Sequence, residues 1–138
     1  MRYAHVMAGL TRLFGAVEAG GTKFVCAIGN ERGEILAQER FSTTHPRSTL
    51  AVAQSFLRRH GRATLAAIGV ASFGPIELDT ASLRYGFIGR TPKAGWSDTD
   101  IAASFAREFR CPIGFDTDVN VSAPQGNCCN IRFRAKCR

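Results

Sequence analysis

The chain has 138 residues, 45% of them hydrophobic and 21% charged, the balance of an ordinary globular domain with room for one core. Its formal charge of +7 is concentrated at the ends: Arg132, Arg134, Lys136 and Arg138 close the sequence, Arg2 and Arg12 open it, and residues 13–126 carry 12 basic against 11 acidic groups. A nearly neutral body argues against a nucleic-acid-binding face, and no apolar run reaches the length of a membrane span. Residues 1–10 lack the apolar core and cleavage site of a signal peptide, so a cytoplasmic protein is expected.

The first informative stretch is residues 13–29. It reads as strand (13–19), Gly20-Gly21 turn, strand (22–29), with Thr22 and Lys23 where the second strand leaves the turn. Adjacent glycines let backbone N–H groups approach an anion without a Cβ in the way. A hydroxyl and an ammonium follow, both natural phosphate donors. The same pattern also suits an ordinary hairpin turn. It is not a Walker A loop, because the order is Gly-Thr-Lys and strand-favouring residues follow.

Further along, 34–41 reads as a third strand after the turn Asn30-Glu31-Arg32-Gly33, giving an antiparallel meander. Residues 46–60 read as a helix, with Pro46 in its first turn, Leu50, Ala53, Phe56 and Leu57 on one face, and Gly61 as the stop. Residues 65–71 are a buried strand. Phe73-Gly74-Pro75 breaks the run, and 76–85 forms a small hairpin around Asp79-Thr80. Residues 97–109 read as a second helix, with Ser97 and Asp100 as a capping box and Ile101, Phe105 and Phe109 on its buried face. A last strand runs from Cys111 to Asp116-Thr117-Asp118. Ile68 and Ile113 are expected on inner strands. The order β-β-β-α-β-α-β gives an α/β domain with a mixed sheet.

Of the five cysteines, Cys26 and Cys111 read as buried thiols. Cys128, Cys129 and Cys137 have neither a CxxC pair nor a nearby His, which makes a poor zinc pattern. The tail resists a helical reading because Pro124 and Gly126 break its first turns. From about Val121 it is expected to be out of register with the ancestral gene and weakly packed.

Four motifs occur in order: Glu18-Ala19-Gly20-Gly21-Thr22-Lys23, Gly69-Val70-Ala71-Ser72-Phe73-Gly74-Pro75-Ile76, Thr91-Pro92-Lys93-Ala94-Gly95-Trp96, and Asp116-Thr117-Asp118-Val119-Asn120. Together they resemble the N-terminal lobe of a bacterial sugar kinase of the ROK family, on its fructokinase branch. The resemblance runs from about residue 13 to 120. It implies a ribonuclease-H-like lobe of the actin/hexokinase ATPase type and ATP- and magnesium-dependent phosphorylation of fructose. Glu18, where most of the family has Asp, points to the fructokinase branch.

The resemblance also implies roles. Asp118 is the base that accepts the sugar hydroxyl proton, although by local sequence it suits a helix N-cap equally well. Gly20, Gly21, Thr22 and Lys23 bind the ATP phosphates. Gly74, Pro75, Lys93 and Asn120 line the sugar site. Glu18 holds magnesium through water. Trp96 either packs on a sugar face or anchors the second helix in the core.

The domain plan is then an extension (1–12), a kinase lobe (13–120) and an aberrant basic tail (121–138). The second lobe, where the family's adenosine site and zinc cluster belong, is absent. The implied partners are a sugar and a nucleotide, with a homodimer expected for full-length relatives. Other readings are a kinase for another hexose or N-acetylhexosamine, and a non-catalytic fragment. A sugar-sensing repressor needs a helix-turn-helix module, and the dozen residues before the first strand are too few for one.

Overall fold

A computed structural model describes residues 12–61 and 65–117. The expectations for the N-terminal extension, for Asp118 and Asn120, and for the basic tail lie outside these residues. Seven elements follow in chain order: β1 (Leu13–Ala19), β2 (Lys23–Asn30), β3 (Ile35–Ser42), α1 (Pro46–Gly61), β4 (Ala67–Ser72), α2 (Ile101–Phe109) and β5 (Ile113–Thr117). This is the expected β-β-β-α-β-α-β order.

The strands make one five-stranded sheet in the order β3-β2-β1-β4-β5. β1, β2 and β3 form the antiparallel meander, whereas β1, β4 and β5 run parallel. The sheet is therefore mixed. Ile68 is on an inner strand as expected. Ile113 is not: β5 is an edge of the described sheet, with β3 at the other edge. The ladder between β2 and β3 shifts register between Ile28 and Gly29.

Alternation along β1 and β2 defines the two faces. Val17, Ala19, Phe24, Cys26 and Ile28 are fully buried, while their neighbours Ala16, Glu18, Val25 and Ala27 are half-buried. α1 lies on the first face and brings Leu50, Ala53, Phe56 and Leu57, the four residues read as its apolar stripe, into one core with that strand face. Each large side chain in that stripe contributes about 1.5–3 kcal/mol by leaving water. α2 joins the same core through Ile101 and Phe105 and meets α1, where Gln54 Nε2 donates to the carbonyl oxygen of Ser104 at 3.2 Å. Both described helices therefore cover the same face of the sheet.

Three local readings need correction. The second helix begins at Ile101, not at residue 97. Asp100 is its cap, accepting the N–H of Ala103 at 3.1 Å, whereas Ser97 hydrogen-bonds Thr91 instead. The chain turns through Gly95 and Asp98, both at positive φ, before the helix can start.

The hairpin after β4 is wider than expected. Ile76 bridges Ile88, and Glu77 exchanges backbone hydrogen bonds with Gly86 and Phe87, so Asp79-Thr80 lie inside a longer loop. Gly86 is required there. It has φ +86°, and a Cβ would come within 2.5 Å of the Ala102 Cβ.

Finally, Cys26 is buried, but Cys111 is only half-buried. Burial, with Glu39 as a smaller cause, pushes the Cys26 thiol up to about 12. Because only the thiolate is nucleophilic, Cys26 should resist iodoacetamide at pH 8 in the folded protein and label readily after denaturation. Peptide mapping of the alkylated chain distinguishes it from the other cysteines, and rapid native labelling would contradict the packing.

Candidate active site

The hairpin between β1 and β2 is tight. Ala19 pairs with Phe24, and the N–H of Gly20 donates to the carbonyl oxygen of Lys23 at 3.0 Å, which leaves Gly21 and Thr22 at the tip. A Cβ on Gly20 would come within 2.7 Å of that carbonyl, so only glycine fits without moving the turn. Thr22 and Lys23 are exposed. Among the described residues the N–H groups of Gly21 and Thr22 have no acceptor. The tip therefore offers two backbone donors, a hydroxyl and an ammonium, the equipment for an anion such as phosphate.

The two carbonyls beside those donors are held from the other side. Thr43, 6% exposed, directly follows β3. Its hydroxyl donates to the Gly20 carbonyl at 2.7 Å, and its N–H donates to the Thr22 carbonyl at 2.9 Å. Thr43 was not singled out in the sequence. The signal available was a polar Thr43-Thr44-His45 run before Pro46, which reads equally well as a plain helix lead-in.

The second motif leaves the sheet beside this hairpin. β4 ends at Ser72, level with Ala19 of β1, and the N–H of Phe73 donates to the Ala19 carbonyl at 2.7 Å. Gly74 and Pro75 follow, exposed and joined by a cis peptide bond. Ser72 is fully buried, and its hydroxyl donates to the Phe73 carbonyl, so it is no nucleophile.

The third motif packs against the second. Gly89 donates its N–H to the Pro75 carbonyl at 2.7 Å. In the 91–96 loop Lys93 is half-buried and Trp96 is fully buried. The Trp96 ring lies 5.6 Å from Phe73, edge to face, and 5.7 Å from Phe24, and its indole N–H donates to the Thr44 carbonyl at 2.8 Å. The anchor reading of Trp96 therefore holds, and contact with a sugar face does not.

The fourth motif enters at the same level. β5 ends at Thr117, which pairs with Ser72, and the Asp116 carboxylate accepts the Thr117 N–H at 2.7 Å. Glu18 is half-buried near the end of β1, on the sheet face away from the helices, and takes part in none of the ion pairs among the described residues. The structure thus brings Glu18, the hairpin residues 20–23, Gly74-Pro75 and the 91–96 loop to one edge of the sheet.

Comparison with known proteins agrees with this arrangement. The model of the ROK family matches residues 14–128. The chain belongs to the ROK family. It is 43% identical over 114 residues to a fructokinase of Streptococcus mutans and 42% identical over 111 residues to a putative fructokinase of Bacillus subtilis. These alignments take in 83% and 80% of this chain but only 39% and 36% of those proteins, so it spans less than two-fifths of their length.

Among solved structures, a ROK glucokinase from Streptomyces griseus in complex with glucose and AMPPNP superposes with a TM-score of 0.64 at 18% identity, over 79% of this chain and 34% of that one. A ROK transcriptional regulator superposes with a TM-score of 0.60 at 13% identity, over 78% of this chain and 28% of the regulator. The fold is therefore that of the ROK sugar kinases and is shared with a regulator, so it does not by itself select an activity.

Placing a Cβ against a backbone carbonyl gives a direct test of the hairpin. Gly20→Ala should destabilise the chain by about 1–3 kcal/mol, the usual cost of overpacking. Gly33→Ala on the Asn30–Gly33 turn, where a Cβ meets nothing within 4 Å, should cost only the strain of its φ of +80°. Urea denaturation of the two variants measures the difference, and equal stability of Gly20→Ala and the parent would contradict the turn geometry.

Proposed function

We propose that residues 13–120 are the N-terminal lobe of a fructokinase-like sugar kinase, which transfers the γ-phosphate of ATP to a hydroxyl of fructose in the cytoplasm. The observation that carries this reading is the donor-rich Gly20-Gly21-Thr22-Lys23 tip beside the Gly74-Pro75 and Lys93 loops, at the edge where β1, β4 and β5 end. The identity of 40–43% to fructokinases favours fructose over other hexoses.

In this reading the free N–H groups of Gly21 and Thr22, with the Thr22 hydroxyl and Lys23 ammonium, hold the transferring phosphates. Gly74, Pro75, Lys93 and Asn120 hold the sugar. Asp118, which follows Thr117 directly in the chain, accepts the hydroxyl proton as the oxygen attacks phosphorus. The Glu18 carboxylate is an oxygen donor of the kind magnesium favours and is not engaged in an ion pair, so it fits a role in holding magnesium-bound water. Magnesium would supply charge neutralisation at the phosphates.

Phosphoryl transfer depends on positioning between two sides of a cleft, and this lobe supplies one side. The 138-residue chain alone should therefore show no ATP-dependent phosphorylation of fructose in a coupled assay. Fused after Asn120 to the remaining part of the Streptococcus mutans fructokinase, it should show phosphorylation that requires magnesium. In that fusion Asp118→Asn should lower kcat about 10²–10⁴-fold and change the KM for fructose far less. Activity of the isolated chain would refute the requirement for a second lobe, and an active Asp118→Asn fusion would refute the base assignment.

A further inference from the structure

We propose that Thr43 and Trp96 act together as a positioning clamp that holds the phosphate hairpin at a fixed distance from the sugar loop. The inference rests on the kinase reading above and assigns roles to two buried residues outside the phosphate and sugar contacts named there.

The hairpin needs such a device. Its two glycines have the widest backbone freedom in the unfolded chain, and its tip is exposed. Beyond the β1–β2 ladder and the pairing of Lys23 with Ser42 of β3, Thr43 holds the tip itself among the described residues. The hydroxyl of Thr43 donates to the Gly20 carbonyl and its N–H donates to the Thr22 carbonyl, so the carbonyls on either side of Gly21 are both fixed by one residue. The Gly20 carbonyl shares its peptide plane with the Gly21 N–H, so holding it orients that donor, and the peptide that carries the Thr22 N–H lies between two planes that Thr43 fixes. Preorganised donors of this kind do not have to reorient during the reaction.

Thr43 is in turn fixed through Thr44. Thr44 gives its N–H to the Thr49 hydroxyl of α1 at 2.9 Å, and its carbonyl accepts the Trp96 indole N–H. The same indole packs on Phe24, which follows Lys23, and on Phe73, which precedes Gly74. One buried ring therefore touches the exit of the hairpin, the segment after β3 and the entry to the sugar loop, and its own loop carries Lys93. Moving the sugar loop displaces the ring, and displacing the ring disturbs the hydrogen bonds that set the hairpin.

Two measurements test the clamp. In the fusion protein Thr43→Val, which removes the hydroxyl and keeps the shape, should lower kcat about ten- to a hundredfold with the KM for fructose within about threefold of the parent. Thr43→Ser, which restores the hydroxyl, should recover kcat to within about threefold. A Thr43→Val enzyme with parental kcat, or a Thr43→Ser enzyme no better than it, overturns the proposal.

In the 138-residue chain, with no ligand, amide exchange at Gly20 should quicken about tenfold in Thr43→Val and not in Thr43→Ser, while Val17 and Cys26 keep their protection. Trp96→Phe, which keeps a ring and loses the indole N–H, should quicken exchange at Gly20 and at Gly89 together. Unchanged exchange at Gly20 in either Thr43→Val or Trp96→Phe overturns the clamp. If the parent fusion phosphorylates no sugar, the kinase reading falls, and the exchange measurement still decides whether the two loops are linked.

Discussion

The parallel pairing of β1 with β4 and of β4 with β5 is the constraint on which the rest of the site depends. Parallel strands end at the same edge of a sheet, and here the register aligns Ala19, Ser72 and Thr117. Segments that leave these three positions come from distant parts of the sequence, yet they emerge side by side. An antiparallel arrangement of the same strands would put every second exit at the opposite edge. Parallel pairing needs long crossovers, which α1 and α2 provide, and their apolar stripes close the core on one face. The fold therefore gathers the 20–23 hairpin, the Gly74-Pro75 loop and the end of β5 into one place because its helices have a face to bury.

The core explains why the exposed loops hold their shape. Trp96, Phe24 and Phe73 meet at the junction of the three loop segments, and Trp96 and Phe24 are completely removed from water. Tilted and edge-to-face contacts of this kind add about 0.5–1.5 kcal/mol per pair beyond burial. The indole N–H has a backbone acceptor, which offsets the cost of taking that group out of water. Glycine and polar tips above this aromatic layer can be exposed without being loose.

Much of the fold was legible because the strands and helices follow simple periods. The apolar runs on either side of Gly20-Gly21 marked β1 and β2 to within a residue, and the spacing of Leu50, Ala53, Phe56 and Leu57 marked α1. Legibility failed where a non-local contact overrode a local signal. Ser97 has the chemistry of a cap, but its hydroxyl is used by Thr91, and the cap passes to Asp100. The end of that helix at Phe109 was read correctly although no glycine marks it, and Arg110 adopts the left-handed conformation in its place. The placement of β5 at an edge follows from strand order, which apolar runs do not encode. In the site, the glycines and Lys23 announced themselves by type. Thr43 did not, since its partners Gly20 and Thr22 are more than twenty residues away. Trp96 was readable as a large apolar residue, but its burial depended on Phe24, Thr44 and Phe73 arriving from three other segments.

The outer strand β3 has a bearing on solubility. An edge strand presents unpaired backbone groups and is a natural template for aggregation. Here Ile35 and Leu36 are both exposed at its start, an apolar pair on the strand that ends the described sheet. The register shift at Ile28 and Gly29 lies across from this pair and distorts the ladder there. Farther along, Glu39 and Arg40 put charge on the strand, with Glu39 held by Arg59 of α1. The apolar part of this strand is thus the part where its ladder is least regular, and the regular part carries charge, two features that disfavour the addition of another strand.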